Sequence, residues 1–128
     1  MPAWNDYKQR ARERGALAFE LFIVRSIPAK APEEVAAILP EHLAYQARQE
    51  AAGTLVLAGP VSDPTGDMLE GEGLIIYRAE SLEAARALAE ADPMHASGAR
   101  SFDLRRWLVN EGNLTLTVGL SGQRVSLS

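Results

Sequence analysis

Residues 53–78, GTLVLAGPVSDPTGDMLEGEGLIIYR, decide the fold. Two short apolar runs stand at the ends of this stretch, residues 54–59 and 73–78. Both are bounded by glycine or proline, and the second is rich in branched and aromatic residues, the signature of β-strands. Between them lies a polar loop with turn signals at Asp63-Pro64 and Thr65-Gly66 and no helical periodicity. The middle of the chain therefore reads strand–strand. On the N-terminal side, residues 17–26 form a dense apolar run closed by Pro28, a further strand. Pro32 then suits the first position of a helix, and Glu33 and Glu34 favour its positive start. That helix is expected to reach about Ala52, with a break or bend at Pro40, and to end at Gly53. On the C-terminal side, Ser81 caps a helix over residues 81–91. Asp92-Pro93 starts one more short turn that Gly98 stops, and residues 100–109 make the last strand.

The resulting order, strand–helix–strand–strand–helix–strand, is the split pattern of a ferredoxin-like α+β protomer. Its strands are apolar on both faces: Phe19, Leu21 and Ile23 alternate with Phe22 and Val24, and Leu74 and Ile76 with Ile75 and Tyr77. A sheet with one solvated face alternates between apolar and polar positions, and this one does not. Two helices cover one face only, so a second copy of the sheet is the simplest cover for the other, which predicts a homodimer. Outside a core of about residues 17–109, an extra N-terminal helix is expected over residues 4–14 and a C-terminal β-hairpin over residues 113–127. The hairpin has one apolar face, with Leu114, Leu116, Val118, Val125 and Leu127. The whole of residues 1–128 is read as a single domain.

Composition narrows the function classes. The chain has no cysteine, which removes disulfides, thiolate metal sites and cysteine nucleophiles. The formal charge of −4 is uneven: residues 1–14 carry four cations and two anions, and the remainder carries nine cations and fifteen anions. A local balance of +2 without an aromatic platform is too small a footprint for nucleic acid, so no nucleic-acid partner is expected. No apolar run approaches the ~20 residues of a spanning helix, and the N-terminus lacks a signal-peptide core. No membrane partner is expected, and the reading is a cytoplasmic protein.

Two residues carry most of the candidate chemistry. With Val35 set at zero and about 100° per residue, Ile38 falls near 300°, Leu39 near 40° and His42 near 340°. His42 thus lies in the stripe facing the sheet, with Tyr45 beside it. An imidazole there is either a core histidine satisfied by a hydrogen bond or a general acid or base. Asp92 is explained as an N-cap before Pro93, and its functional reading requires its carboxylate to reach and orient the His42 ring. His95, one turn on, is expected at the surface. Arg25 and Arg78, at strand ends, are candidates for binding an anionic substrate. A metal site built from His42, Asp92 and His95 would require one histidine to swing across. No metal and no cofactor are expected.

The order of these pieces resembles the YCII-related (YciI-like) family of the dimeric α+β barrel superfamily. The resemblance rests on the hydrophobic first strand, on EHLAYQARQEAAGTLVLAGPVSD (residues 41–63), on GLIIYRAESLEAARALAEADPM (residues 73–94) and on the closing strand with Trp107. Its most telling points are His42, the Ala58-Gly59-Pro60 strand end and the Asp92-Pro93 pair. It implies a dimer that encloses a barrel, and a pocket whose histidine–aspartate pair maps onto His42 and Asp92. The few family members with assigned activity are dehydrochlorinases, and the wider superfamily includes isomerases and cofactor-free monooxygenases. The expectation is a cofactor-free acid–base enzyme of lyase or isomerase type acting on a small cyclic or aromatic acid. His42 would move the proton, Asp92 would hold its tautomer, and Tyr45 would donate to a ligand oxygen. The competing expectation is a small-ligand-binding or assembly module that keeps the pocket without turnover.

Overall fold

A computed structural model describes all 128 residues. The chain divides into two compact units, Glu20–Trp107 and a second made of Met1–Phe19 with Leu108–Ser128. The elements run α1 (Trp4–Glu13), β1 (Phe19–Pro28), α2 (Pro32–Ala52), β2 (Leu55–Pro60), β3 (Gly73–Tyr77), α3 (Leu82–Ala91), α4 (Pro93–Ala96), β4 (Arg100–Val109), β5 (Leu116–Gly119) and β6 (Arg124–Leu127). The four-stranded sheet has the order β2-β3-β1-β4, that of a ferredoxin-like βαββαβ fold. β3 lies antiparallel between β1 and β2, with Val24 opposite Ile75 and Ala58 opposite Ile75 on its other side.

Alternation along the strands assigns the two faces. Phe22, Val24, Ile75 and Tyr77 pack with Ala85 and Ala89 of α3 into the buried core, joined by Phe102 and Leu104 of β4. Small alanines on α3 let the helix sit close to the sheet, with Leu82 and Leu88 packing at the margin of the core. Ser26 and Arg100 share the parity of these core residues and so face the helices as well. The opposite face carries Leu21, Ile23, Leu57, Leu74, Ile76 and Trp107. Leu21 and Ile76 are buried at its centre, whereas Leu57 and Trp107 are 59% and 42% exposed.

α2 begins at Pro32 with the Glu34 carboxylate reaching back to the Ala31 N–H at 3.1 Å, and ends at Gly53 in the left-handed conformation, φ 82°. Of the break or bend expected at Pro40, the break does not occur: the helix is continuous over its 21 residues. Pro40 lies about 180° from the inward direction, on the exposed face, where the carbonyl it leaves unpaired is open to solvent. Ser81 Oγ accepts the Ala84 N–H at 3.0 Å at the start of α3. No helix is long and apolar enough to cross a membrane.

In the other unit, α1 buries Ala11, and the Leu17 N–H donates to the Asn110 carbonyl at 3.0 Å. The β5–β6 hairpin pairs Leu116 with Leu127 and Val118 with Val125. Its apolar side chains stand open, from 60% at Val118 to 87% at Leu120.

Candidate functional site

A cleft of about 460 Å³ opens in the Glu20–Trp107 unit on the helix-covered side of the sheet. Leu39, Leu43 and Leu69 give it apolar walls, β2 and β3 supply backbone and Ile75, and His42, Ser26 and Arg100 bring polar groups to it. The glycines and the small Ala58 at the strand ends keep the wall low, so the cleft has room for a small ligand. Such a site, mostly apolar with a few convergent polar groups, is typical of small-molecule recognition.

His42 enters from the middle of α2. Its Nδ1 lies 2.8 Å from both Asp92 Oδ1 and Asp92 Oδ2. The Asp92 side chain is fully buried and that of His42 is 15% exposed. Asp92 Oδ1 also accepts the Met94 N–H at 2.9 Å, the capping bond of α4. The capping and the histidine-orienting roles of Asp92 thus coexist in one carboxylate. A carboxylate accepts only, so Nδ1 is the protonated nitrogen of a neutral His42. Nε2, with no protein partner, is left to the cleft.

A second chain of bonds runs beside the first. His95 Nδ1 lies 2.8 Å from the Ala89 carbonyl oxygen, which can only accept, so that nitrogen donates. In the neutral ring Nε2 then accepts from Ser26 Oγ–H at 2.8 Å, and Ser26 Oγ in turn accepts Arg100 Nε–H at 2.8 Å. Arg100 Nη2 donates to the Ser26 carbonyl at 2.8 Å and to the Gly71 carbonyl. The Phe102 ring sits 4.7 Å from His95, centroid to centroid. His95 is therefore not at the surface as expected, because the short α4 turn directs it back onto β1 and β4. With both its ring nitrogens engaged, it cannot join His42 and Asp92 around an ion, and no cluster of three such groups is formed.

Burial pushes the His95 pKa below its ordinary value of 6.5, partly opposed by the Ala89 carbonyl. Below the unfolded value the unfolded chain then takes up a proton that the folded chain resists. Stability should fall as pH drops through about 6.5 and level off below the folded pKa. We expect the stability advantage of the wild type over His95→Gln to shrink between pH 8 and pH 5.5 in urea titrations. Parallel stability curves for the two proteins would contradict the neutral, buried ring.

The remaining expected site residues lie elsewhere. Tyr45 is buried, and its hydroxyl donates to the Leu88 carbonyl of α3 at 2.6 Å instead of facing the cleft. Burial, and then the nearby Asp92 charge, raise its pKa, which keeps the phenol protonated in this clamp between α2 and α3. Arg25 has the parity of the opposite sheet face and forms an ion pair with Glu72. Arg78 donates to the Gly53 carbonyl at 2.6 Å, where a cation meets the negative end of α2. Neither arginine lines the cleft; Arg100 does. Ser26, His95 and Arg100 were not singled out by sequence as a group. The available signal was the two-residue period, which sets Ser26 beside Phe22 and Val24, and Arg100 beside Phe102 and Leu104.

Comparison with known proteins places this geometry in context. The uncharacterized protein YjpA of Bacillus subtilis is 35% identical over 66 residues, covering 52% of this chain and 71% of YjpA. Among solved structures, 5-chloro-2-hydroxyhydroquinone dehydrochlorinase from Burkholderia phenoliruptrix, in complex with 2,5-dihydroxybenzoquinone, matches with a TM-score of 0.50 at 23% identity. That match covers 68% of this chain and 92% of the dehydrochlorinase. SnoaB, a cofactor-independent oxygenase from Streptomyces nogalater, gives a TM-score of 0.43 at 17% identity over 73% of this chain and 94% of its own. The family model of the YCII-related domain matches residues 18–108, which span β1 to all but the last residue of β4 with α2, α3 and α4, and the chain belongs to that family.

Proposed function

We propose that the protein is a cofactor-free acid–base enzyme, of lyase or isomerase type, that acts on a small cyclic or aromatic acid in the cleft beside His42. The observation that carries this reading is the His42 ring, held through Nδ1 by a buried carboxylate and offering Nε2 to a mostly apolar cleft. Nε2 takes a proton from the ligand, and the electron pair left behind forms a new double bond. If that pair expels chloride, the reaction is an elimination; if the proton returns at another carbon, it is an isomerisation. Both are redox-neutral and draw on a positioned base in a mostly apolar site. The dehydrochlorinase of shared fold suggests the compounds to test first. Purified protein should convert at least one member of a panel of chlorinated hydroxybenzoic acids and unsaturated lactone acids, with chloride release or spectral change as the readout. Binding of panel members without turnover would reduce the cleft to a ligand-binding module.

We further propose that the chain works as one cytoplasmic domain and as a homodimer joined through the sheet face that bears Leu57 and Trp107. The exposed apolar side of the β5–β6 hairpin supports assembly as well, since an isolated hairpin is marginal in water. Deleting residues 113–128 should weaken the dimer or lower solubility. Unchanged assembly and melting temperature in the truncated protein would make the hairpin a decoration.

A further inference from the structure

The charges around the cleft do not all cancel. Asp92, hydrogen-bonded to a neutral His42, keeps its charge and attracts Arg100 through space, while Glu72, the carboxylate on the cleft wall, is paired with Arg25. Arg100 itself has no direct ion-pair partner. It meets only neutral acceptors, the Ser26 hydroxyl and the Ser26 and Gly71 carbonyls, through Nε and Nη2. Nη1 has no protein partner, and Arg100 lines the cleft. Burial disfavours its charged form, yet a guanidinium stays charged in proteins. The fold thus holds a half-buried cation by three acceptors through Nε and Nη2, in a residue that lines a mostly apolar cleft, and leaves the two N–H donors of Nη1 unspent. Rigid placement of a charge before the ligand arrives is what makes electrostatic recognition efficient, because no reorganisation is needed on binding.

We infer that Arg100 Nη1 is the anchor for a carboxylate of the ligand, and that His95 and Ser26 position the guanidinium. This deepens the proposed reading of the cleft and rests on it, because the anchored acid is the one His42 would act upon. The direction of the bonds supports the positioning role. With Nδ1–H spent on Ala89, His95 must accept the Ser26 proton, and that turns a Ser26 lone pair toward Arg100 Nε–H. Charge-assisted bonds of this kind are about twice as strong as neutral ones, so a neutral analogue of the same shape should bind less well.

The test uses benzoate as the probe and benzamide as its neutral isostere, each titrated into full-length protein. In the wild type, benzoate should shift the side-chain nitrogen resonances of Arg100, and benzamide should not. Arg100→Gln should weaken benzoate about tenfold or more and leave benzamide unchanged; Arg100→Lys should recover part of the loss. Ser26→Ala should weaken benzoate several-fold with no effect on benzamide, a selectivity that a merely structural serine would not show. Equal benzoate affinity in Arg100→Gln and wild type, or no shift at Arg100 on saturation, overturns the assignment. If Arg100→Gln does not fold, the wild-type resonances and Arg100→Lys still decide. Loss of turnover in His42→Ala with unchanged benzoate binding in Arg100→Gln would sink the anchor alone. The reverse pattern would sink the acid–base reading alone.

Discussion

His42→Ala is expected to lower kcat/KM on the responsive panel compound by roughly 10²–10⁴-fold, the usual contribution of a positioned general base. The fold should survive, because the imidazole contributes little to the core formed by Phe22, Val24, Ile75 and Tyr77. The sharper variant is Asp92→Asn. Its side-chain oxygen can still accept the Met94 N–H and cap α4, so the helix start is kept. Its amide, however, presents N–H donors to His42 Nδ1, which then has to be the unprotonated nitrogen. The proton moves to Nε2, and the face turned to the cleft changes from acceptor to donor. A loss of roughly 10³–10⁴-fold in kcat, comparable to that from removing the histidine, follows from such a tautomer reversal. Because the two residues act as a unit, the double variant should be little worse than either single one. Steady-state kinetics on the three proteins, with melting curves as a control for folding, measure this. Additive losses would mean that His42 and Asp92 act separately, and full activity in Asp92→Asn would mean that the tautomer does not matter.

How much of this was legible in the sequence follows from which distances the chain itself specifies. Period-two alternation and proline and glycine punctuation determine strands and turns locally, so the β2–β3 succession and the ferredoxin-like order could be read directly. The helical period placed His42 on the inner side of α2 correctly. The same period explains why Tyr45 was misplaced. Its direction is near 280°, while the cleft residues His42, Gln46, Leu39 and Leu43 fan from about 340° through 20° and 40° to 80°. Tyr45 therefore sits on the flank turned to α3, one side of His42, and the cleft opens on the other. Sequence spacing shows that two residues share a face, but which neighbour that face meets is a property of the tertiary arrangement. The arginines make the same point. Arg25 and Arg78 both lie at strand ends, but parity separates Arg25 from Arg100 and the end of α2 claims Arg78. The approach of His95 to Ser26 spans 69 residues, and no local pattern encodes it.

The second large effect concerns assembly. The protein is expected to sediment near 28 kDa, twice the 13.9 kDa of one chain, at micromolar concentration. The argument is about the sheet face that carries Leu21, Ile23, Leu57, Leu74, Ile76 and Trp107. All three helices of the Glu20–Trp107 unit pack on the other face, yet this one keeps an apolar centre of Leu21, Ile23, Leu74 and Ile76, with Arg25 beyond it along β1. Leu57, 59% exposed, and Trp107, 42% exposed, lie on the two outermost strands of the sheet. Covering the exposed part of Leu57 contributes roughly 1–2 kcal/mol, and buried aromatic residues dominate interface energies. A face-to-face dimer would bury these residues in one two-sheet layer and satisfy the strand pattern on both sides. Leu57→Glu would bring two carboxylates, one from each copy, into that layer, and it should raise the dimer dissociation constant by at least about thirtyfold, near 2 kcal/mol. Circular dichroism should remain that of the folded protomer, because Leu57 lies outside the core beneath the helices. Trp107→Ala should weaken the dimer in the same way without introducing charge, which separates loss of apolar contact from repulsion. If the wild type sediments as a stable monomer, or if both variants remain dimeric with unchanged affinity, this face is not the interface. The apolar pattern of the strands would then require a different cover.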